Sequence, residues 1–427
     1  MIAKSEIHLA DYIKDHSHVF IHGGAATPTE LIQALLNLNG VVKNVTLYHL
    51  HTHGDCVYAR PEYRQTFQVH NLFVGANIRS FVDLERVDYI PCFLSEIGLL
   101  FRRKIIPLDI GLFHVSLPDQ HGYCSLGTSV DVAKAAFDSA RIRIAQINRQ
   151  MPRTHGDSHV PLSAFDAVIE VDQALLTTVT QPASFAEIAI GKHIAELIED
   201  GATLQVGIGN VPSCVLNCLT NHKNLGIHTE MWTDSLLPLI EKGVVNNSQK
   251  KVHPNKTVAT FVVGTEKVFS FMHDNPVCAL FEASYVNQPN VIARNPKVVA
   301  INSCVEMDLT GQVCADSLGT RIISGVGGQM DFMRAAVLSD GGKPIIAFTS
   351  RSKKGQSRIV PILRPGAGVV TTRAHVHYVV TEYGVVNLAG LSMKQRSKSL
   401  IQLAHPEDRE SLERAWYEYY VKQQIAE

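Results

Sequence analysis

Short apolar runs alternate along the chain with stretches whose apolar positions recur at helical spacing. His18-Val19-Phe20-Ile21 reads as a strand, Glu30 to Leu36 as a helix, and Val45-Thr46-Leu47-Tyr48 as a second strand. The same order returns far downstream, with Thr203-Leu204-Gln205-Val206 as strand, Ser213 to Leu219 as helix and Leu225-Gly226-Ile227-His228 as strand. Strands joined by helical crossovers mark an α/β fold, and the repeated order predicts two similar open α/β domains with a cleft between them.

The halves align on their prolines. Gly23-Gly24-Ala25-Ala26-Thr27-Pro28 lies against Gly207-Ile208-Gly209-Asn210-Val211-Pro212, each expected to begin a helix just after its Pro. Carried on, the alignment sets Asn44 against Asn224 and Leu50 against Glu230, so only the second copy has a carboxylate at the end of its second strand. One copy then keeps the chemistry while the other walls the cleft. The linker is expected near Gln181-Pro182-Ala183-Ser184, before helical periodicity resumes from Glu187 to Ile198, which divides the chain into 1–185 and 186–427. A basic, turn-rich loop, Arg351 to Arg358, is a candidate start for a third sub-region. Pro406 to Gln424 reads as a charged helix with Leu412, Trp416 and Tyr419-Tyr420 on one side.

Composition narrows the function. The 427 residues carry 39 Lys+Arg against 40 Asp+Glu, a net charge of −1, so no chain-wide basic field exists to hold nucleic acid or an anionic membrane. At 45% hydrophobic and 19% charged the chain is ordinary globular material, and 7% aromatic content speaks against a base-stacking platform. Eight Cys without any CxxC read as free thiols in a reducing, cytoplasmic setting, and the start of the chain shows no secretion signal. The longest stretch free of formal charge, Gly201 to His222, contains Asn210, Pro212, Ser213 and Asn217 and lacks a membrane-spanning apolar run.

Four clusters carry candidate chemistry. Gly207 to Pro212, with Gly207, Ile208, Gly209, Asn210 and Val211, sits at a strand-to-helix turn where backbone N–H groups can meet a phosphate or an oxyanion; a tight turn with no ligand is the plain alternative. It is not the dinucleotide fingerprint, since Pro212 stands where GxGxxG needs Gly, and no GxxxxGK[ST] occurs. Ser324-Gly325-Val326-Gly327-Gly328-Gln329-Met330-Asp331-Phe332 offers backbone unobstructed by Cβ, followed by polar Gln329 and Asp331, which favours a binding loop over a structural bend. His228-Thr229-Glu230-Met231 ends a strand, where α/β sheets place their ligands, and Glu230 there is a base, a metal ligand, a nucleophile or a solvated loop acid. His49, His51 and His53 alternate along the end of a strand and present a metal-binding alternative, although no fourth-ligand pattern accompanies them. No GxSxG supports a serine hydrolase, and Cys214 and Cys218 read as core thiols.

Together these motifs resemble the acetyl-CoA hydrolase/transferase family, and within it the 4-hydroxybutyrate and butyryl/acetate CoA-transferases. The likeness also rests on Ser116-Leu117-Pro118-Asp119-Gln120-His121-Gly122-Tyr123, Gly226-Ile227-His228-Thr229-Glu230, Asp308-Leu309-Thr310-Gly311-Gln312, Ser357-Arg358-Ile359-Val360 and Val380-Thr381-Glu382-Tyr383-Gly384, spanning nearly the whole chain. The resemblance implies two α/β domains of the CoA-transferase family I type, with the active site between them. It makes Glu230 the nucleophile that forms a mixed anhydride and then a glutamyl-CoA thioester. It implies that Gly207 to Val211 and Gly327-Gly328, with Gln329, line the CoA and oxyanion site, and that Lys353 or Lys354 meets the CoA phosphates. His51, Gly75, Ala76 and Asn77 are expected in the cleft wall. Substrates would be acyl-CoA thioesters and short-chain carboxylates, with no ATP, metal or further cofactor, in a cytoplasmic homodimer. Hydrolysis at the same site, and a non-enzymatic CoA- or metal-binding module, are the rival readings.

Overall fold

The computed structural model describes residues 7–178, 182–207 and 209–425. In the first half, β1 His18–Ile21, β2 Val45–His49, β3 Phe67–Asn71, β4 Val87–Tyr89, β5 Ile110–Ser116, β6 Ile142–Asn148 and β7 Ala167–Val171 form one parallel sheet in the order β7-β6-β5-β1-β2-β3-β4. The second half holds β8 Thr203–Val206, β9 Gly226–Ile227, β10 Val298–Asn302, β11 Lys343–Ala347, β12 Tyr378–Thr381 and β13 Gly384–Asn387, ordered β9-β8-β10-β11-β12-β13; only the β12–β13 pair is antiparallel. The parallel strands are apolar on both faces because helices cover both, and all seven residues of β5 are buried.

Alternation along these strands divides the interior. Val19 and Ile21 pack into an outer core of the first half, while Phe20 between them faces a central core. That central core also takes Val299 and Ile301 of β10, whose neighbours Val298 and Ala300 face an outer core of the second half. The two sheets therefore share one apolar centre.

The duplication is visible in the backbone. Helix α1, Thr29–Leu36, follows β1, and helix α4, Asn210–Cys218, follows β8. Asn44 and Asn224, matched by the sequence alignment, both adopt left-handed backbone, at φ 55° and 57°, a conformation asparagine tolerates. Two details differ from expectation. Helix α4 begins at Asn210, so Pro212 lies inside its first turn, where a missing N–H leaves no intrahelical bond unmade. Strand pairing is also one residue out of step, for Val19 faces Leu47 whereas Thr203, its counterpart, faces Gly226.

The remaining helices that shape the cleft are α2 Leu94–Arg102, α3 Phe185–Ala195, α5 Ala283–Val286 and α6 Gln329–Leu338. Helix α3 opens with a capping box in which Ser184 and Glu187 satisfy each other's backbone N–H groups. No third sub-region starts at Arg351. Its guanidinium is tied to Glu407 and Asp408, each at 2.7 Å, and the chain then returns to the second sheet as β12. Of the C-terminal helix α7, Pro406–Trp416, and the π-turn after it, Leu412 is buried and Trp416 stacks on Tyr420, with centroids 4.5 Å apart. Tyr419 is 48% exposed and takes no part in that pair. No helix among the described residues is long and apolar enough to cross a membrane.

The halves are interlocked. His155–Gly156 of the first half pairs with Cys278–Leu280, which pairs with Thr257–Ala259. Val262 N–H donates to the Thr128 carbonyl at 2.8 Å, Ala283 N–H to Asp131 at 2.8 Å, and Leu94 N–H to Gly327 at 3.0 Å. These bonds fix the two walls of the cleft against each other.

Candidate active site

Glu230 follows β9 at the carboxyl end of the second sheet, and the residues before it are held from every side. Thr229 Oγ1 donates to the Val206 carbonyl at 3.2 Å and accepts from the Val206 N–H at 3.1 Å. His228 bonds the Val286 carbonyl through Nε2 at 2.8 Å. The Glu230 carbonyl itself accepts from the N–H and hydroxyl of Thr260, both at 2.9 Å. With its backbone anchored, the residue's side chain stands in the cleft at a set position.

Asn287, at the end of α5, donates from Nδ2 to Glu230 Oε2 at 3.1 Å, and the backbone N–H of Gly328 lies near enough to favour the charged form of the carboxyl. The glycine is required: a Cβ there would lie 2.0 Å from Glu230 Oε2 and 2.1 Å from Asn287 Nδ2. Asn287 Nδ2 also lies 3.4 Å from Asp331 Oδ2, in the first turn of α6, and Ser95 Oγ on α2 donates to Asp331 Oδ1 at 2.9 Å. A chain of polar contacts thus runs from the first half through Asp331 and Asn287 to Glu230.

Burial pushes the Glu230 carboxyl up to about 7, with Asp331 and Asp131 adding repulsion against the relief from Asn287 and Gly328. Asp331 is likewise pushed up to about 7, mainly by burial. The pair therefore titrates near neutrality, as functional carboxyls often do.

Two cavities meet at Glu230. The smaller, about 430 Å³, is lined by Gly207, Gly209, Asn210 and Val211 from the first glycine turn, by Gly327, Gly328 and Gln329 from the second, and by Glu187 and Arg358. The larger, about 690 Å³, is more apolar and is formed across the halves by His51, Phe73, Gly75, Ala76, Asn77 and Leu176 facing Phe261, Ser324 and Gly327. Glu230 lines both, as do Phe73 and Arg79.

The structure thus brings most of the sequence-picked residues to these two walls. Ile208 lies outside the described residues. Lys353 and Lys354 line neither cavity; they sit on an exposed loop, and the charge of Lys353 helps hold the Glu187 carboxyl below its usual value. Gln329 donates to Thr371 Oγ1 at 3.1 Å while lining the smaller cavity.

The histidines do not form the set their spacing suggested. Strand β2 ends at His49, whose Nε2 lies 3.2 Å from the Tyr58 hydroxyl in the outer core, while the His51 ring lies tilted against Phe261 with centroids 5.0 Å apart. Burial lowers His49 to about 3 and His53 to about 4. Among the described residues no three His, Cys, Asp or Glu side chains are grouped to hold a metal ion.

Sequence reading missed Asn287, Ser95, Phe73, Phe261 and Arg79. Asn287 ends a helix of only four residues and carries no periodic signal. Arg79 had one: it is the only charged residue from Asn71 to Ser80.

Two family models match most of the chain. The acetyl-CoA hydrolase/transferase N-terminal domain matches residues 2–180 and its C-terminal domain residues 264–416. The chain is 51% identical over 412 residues, 95% of it and 86% of the relative, to a succinyl-CoA:acetate/propanoyl-CoA:succinate CoA transferase of Fasciola hepatica. It is 46% identical over 401 residues, 94% of both chains, to the 4-hydroxybutyrate coenzyme A transferase of Clostridium kluyveri. The solved 4-hydroxybutyrate CoA-transferase of Porphyromonas gingivalis superimposes with a TM-score of 0.83 at 38% identity, covering 96% of each chain. An acetyl-CoA hydrolase of Kluyveromyces lactis is 30% identical over 56% of this chain and 47% of its own. With both of its domain models matched and identity sustained across nearly its whole length, this chain belongs to the acetyl-CoA hydrolase/transferase family.

Proposed function

We propose that the protein is a CoA-transferase that moves CoA between an acyl-CoA, acetyl-CoA in the first instance, and a short-chain carboxylate such as butyrate or 4-hydroxybutyrate, through a glutamyl-CoA thioester on Glu230. The observation that carries this reading is one carboxylate, bonded by Asn287 and packed against Gly328, at the junction of two cavities of different character. CoA approaches through the smaller, glycine-lined cavity, and acyl groups and free acids occupy the larger one.

In the first step a Glu230 carboxylate oxygen attacks the thioester carbonyl. The oxyanion that forms is stabilised by donors already present at the carboxylate, Asn287 Nδ2 and the Gly328 N–H. Collapse expels CoA thiolate and leaves a mixed anhydride. The thiolate attacks the glutamyl carbonyl, releasing the donor acid and leaving the glutamyl-CoA thioester. An acceptor carboxylate then runs the sequence backwards. Over the full cycle one thioester is exchanged for another and one carboxylate for another, so no proton, electron or nucleotide is consumed.

Transfer rather than hydrolysis is supported by the full-length likeness to proteins named CoA transferases, set against a partial likeness to the hydrolase. The same reading carries a homodimer and a cytoplasmic location, the latter in accord with eight free cysteines. The test is acetyl-CoA consumption with and without butyrate or 4-hydroxybutyrate. Loss only with an acceptor, matched by a new acyl-CoA, is the expected result, whereas equal loss without one makes the protein a hydrolase.

A further inference from the structure

We propose that Asp331 is a positioning residue for the acyl-transfer site: its carboxylate fixes the side-chain amide of Asn287 so that an N–H of Nδ2 stays turned toward Glu230 throughout the cycle. This deepens the transferase reading and rests on it, since it concerns the same site. Asp331 lines neither cavity, so it acts through Asn287 and not on a substrate.

A side-chain amide has two ends of nearly the same size, and its hydrogen-bond partners decide which end faces a neighbour. The oxygen of Asn287 decides nothing, because Oδ1 is buried without a partner among the described residues. Its nitrogen meets two carboxylates, Glu230 Oε2 at 3.1 Å and Asp331 Oδ2 at 3.4 Å, with one N–H for each. Both carboxylates repel the oxygen end, so in the resting site either one sets the orientation. Acylation changes this. As a mixed anhydride or a thioester the Glu230 side chain has lost its charge and is a weaker acceptor, and Asp331 is the partner left to keep Nδ2 turned toward the carbonyl that the next nucleophile attacks.

Asp331 is itself held from the other half of the chain. Ser95, in the first turn of α2, donates to it twice, from Oγ to Oδ1 at 2.9 Å and from its N–H to Oδ2 at 3.3 Å. The N–H of Leu94, next to it, donates to the Gly327 carbonyl at 3.0 Å, so one end of α2 sets both the glycine turn and the carboxylate. Asp331 is 6% exposed, its hydrogen-bond partners are all uncharged donors, and Glu96 adds a like charge. A buried carboxylate without a cation is costly, and an amide of the same shape would fill the space at less cost. The charge therefore has a use beyond packing, and the amide it faces is the one that bonds Glu230.

The experiment is a double-mutant cycle of Asp331→Asn and Asn287→Ala, with acetyl-CoA as donor and butyrate as acceptor, at pH 8.5, above the Glu230 value of about 7, so that its ionisation does not limit the rate. Asp331→Asn alone should cut kcat about tenfold or more with KM little changed. In the Asn287→Ala background it should add less than about threefold, because the group it acts through is gone. A full further loss in that background overturns the proposal, since it assigns Asp331 to the glycine turn or to the fold; a single variant with unchanged kcat, or with its loss in KM, overturns it too. Asp331→Asn removes a buried charge and should melt no lower than the wild type at that pH. If it fails to fold, Ser95→Ala takes its place in the cycle, for it loosens the same carboxylate and should lower kcat alone but not beside Asn287→Ala. Equal acetyl-CoA loss without butyrate ends the transferase reading only, and the same cycle run on hydrolysis still judges Asp331, whereas a wild type that consumes no acetyl-CoA overturns both.

Discussion

In the proposed mechanism Glu230 must attack in its ionised form, and its surroundings make that ionisation fall near neutral pH. Burial and two neighbouring aspartates raise its carboxyl to about 7, so transfer should rise about tenfold per pH unit below that point and level off above it; kcat/KM from pH 5.5 to 8.5 checks this. The raised value also has a cost in stability. In the unfolded chain the carboxyl returns to 4.5, so the wild type loses stability relative to Glu230→Gln as pH climbs from about 4.5 to about 7, and no more beyond. Calorimetry should find the variant's advantage in Tm absent at pH 4, open at pH 8, and flat above it. Asn287 belongs to the transition state more than to the resting site, because the oxyanion carries charge that the bound carbonyl does not. Asn287→Ala should cut kcat about 10²–10³-fold with little change in KM, and a change confined to KM would assign it to binding instead. Of these residues Glu230 and Asp331 stood out in the sequence, Glu230 at a strand end and Asp331 after the glycine loop, and the nucleophile reading of Glu230 came only from the family resemblance. Asn287 reaches the site through a fold contact that leaves no trace in the residues around it.

The central strands were readable because their apolar residues are bounded by turn signals: His18–Ile21 and Thr203–Val206 stand where their pattern put them. The short strands were not. Thr257–Ala259, Cys278–Leu280 and His155–Gly156 run two or three residues each, too short for a period to show, and their pairing joins segments far apart in the chain. The histidine expectation failed for a related reason, since alternation along a strand holds only while the strand lasts, and β2 stops at His49. The short sheet makes its own demand at Gly156, which has φ +104° and where a Cβ would lie 2.1 Å from the Leu280 carbonyl oxygen. Gly156→Ala should therefore lower the unfolding free energy by about 2–3 kcal/mol, and denaturant titration would contradict this if the midpoint stayed in place.

At the scale of the whole molecule, one copy of a duplicated α/β unit carries Glu230 and the other most of the wall of the larger cavity, while a shared core and crossed strands hold them together. The halves should therefore unfold in a single calorimetric transition, whereas two separated transitions would show that the interlock contributes little. The same arrangement keeps the Glu230 carboxylate at a fixed point between two cavities. The most direct measurement is the intact mass of the protein after incubation with acetyl-CoA and no acceptor. The expected result is a covalent adduct of one CoA less one water, mapped to Glu230, absent in Glu230→Gln and discharged by adding acetate. Steady transfer by a wild type that never carries the adduct, or an adduct that persists in Glu230→Gln, would contradict it.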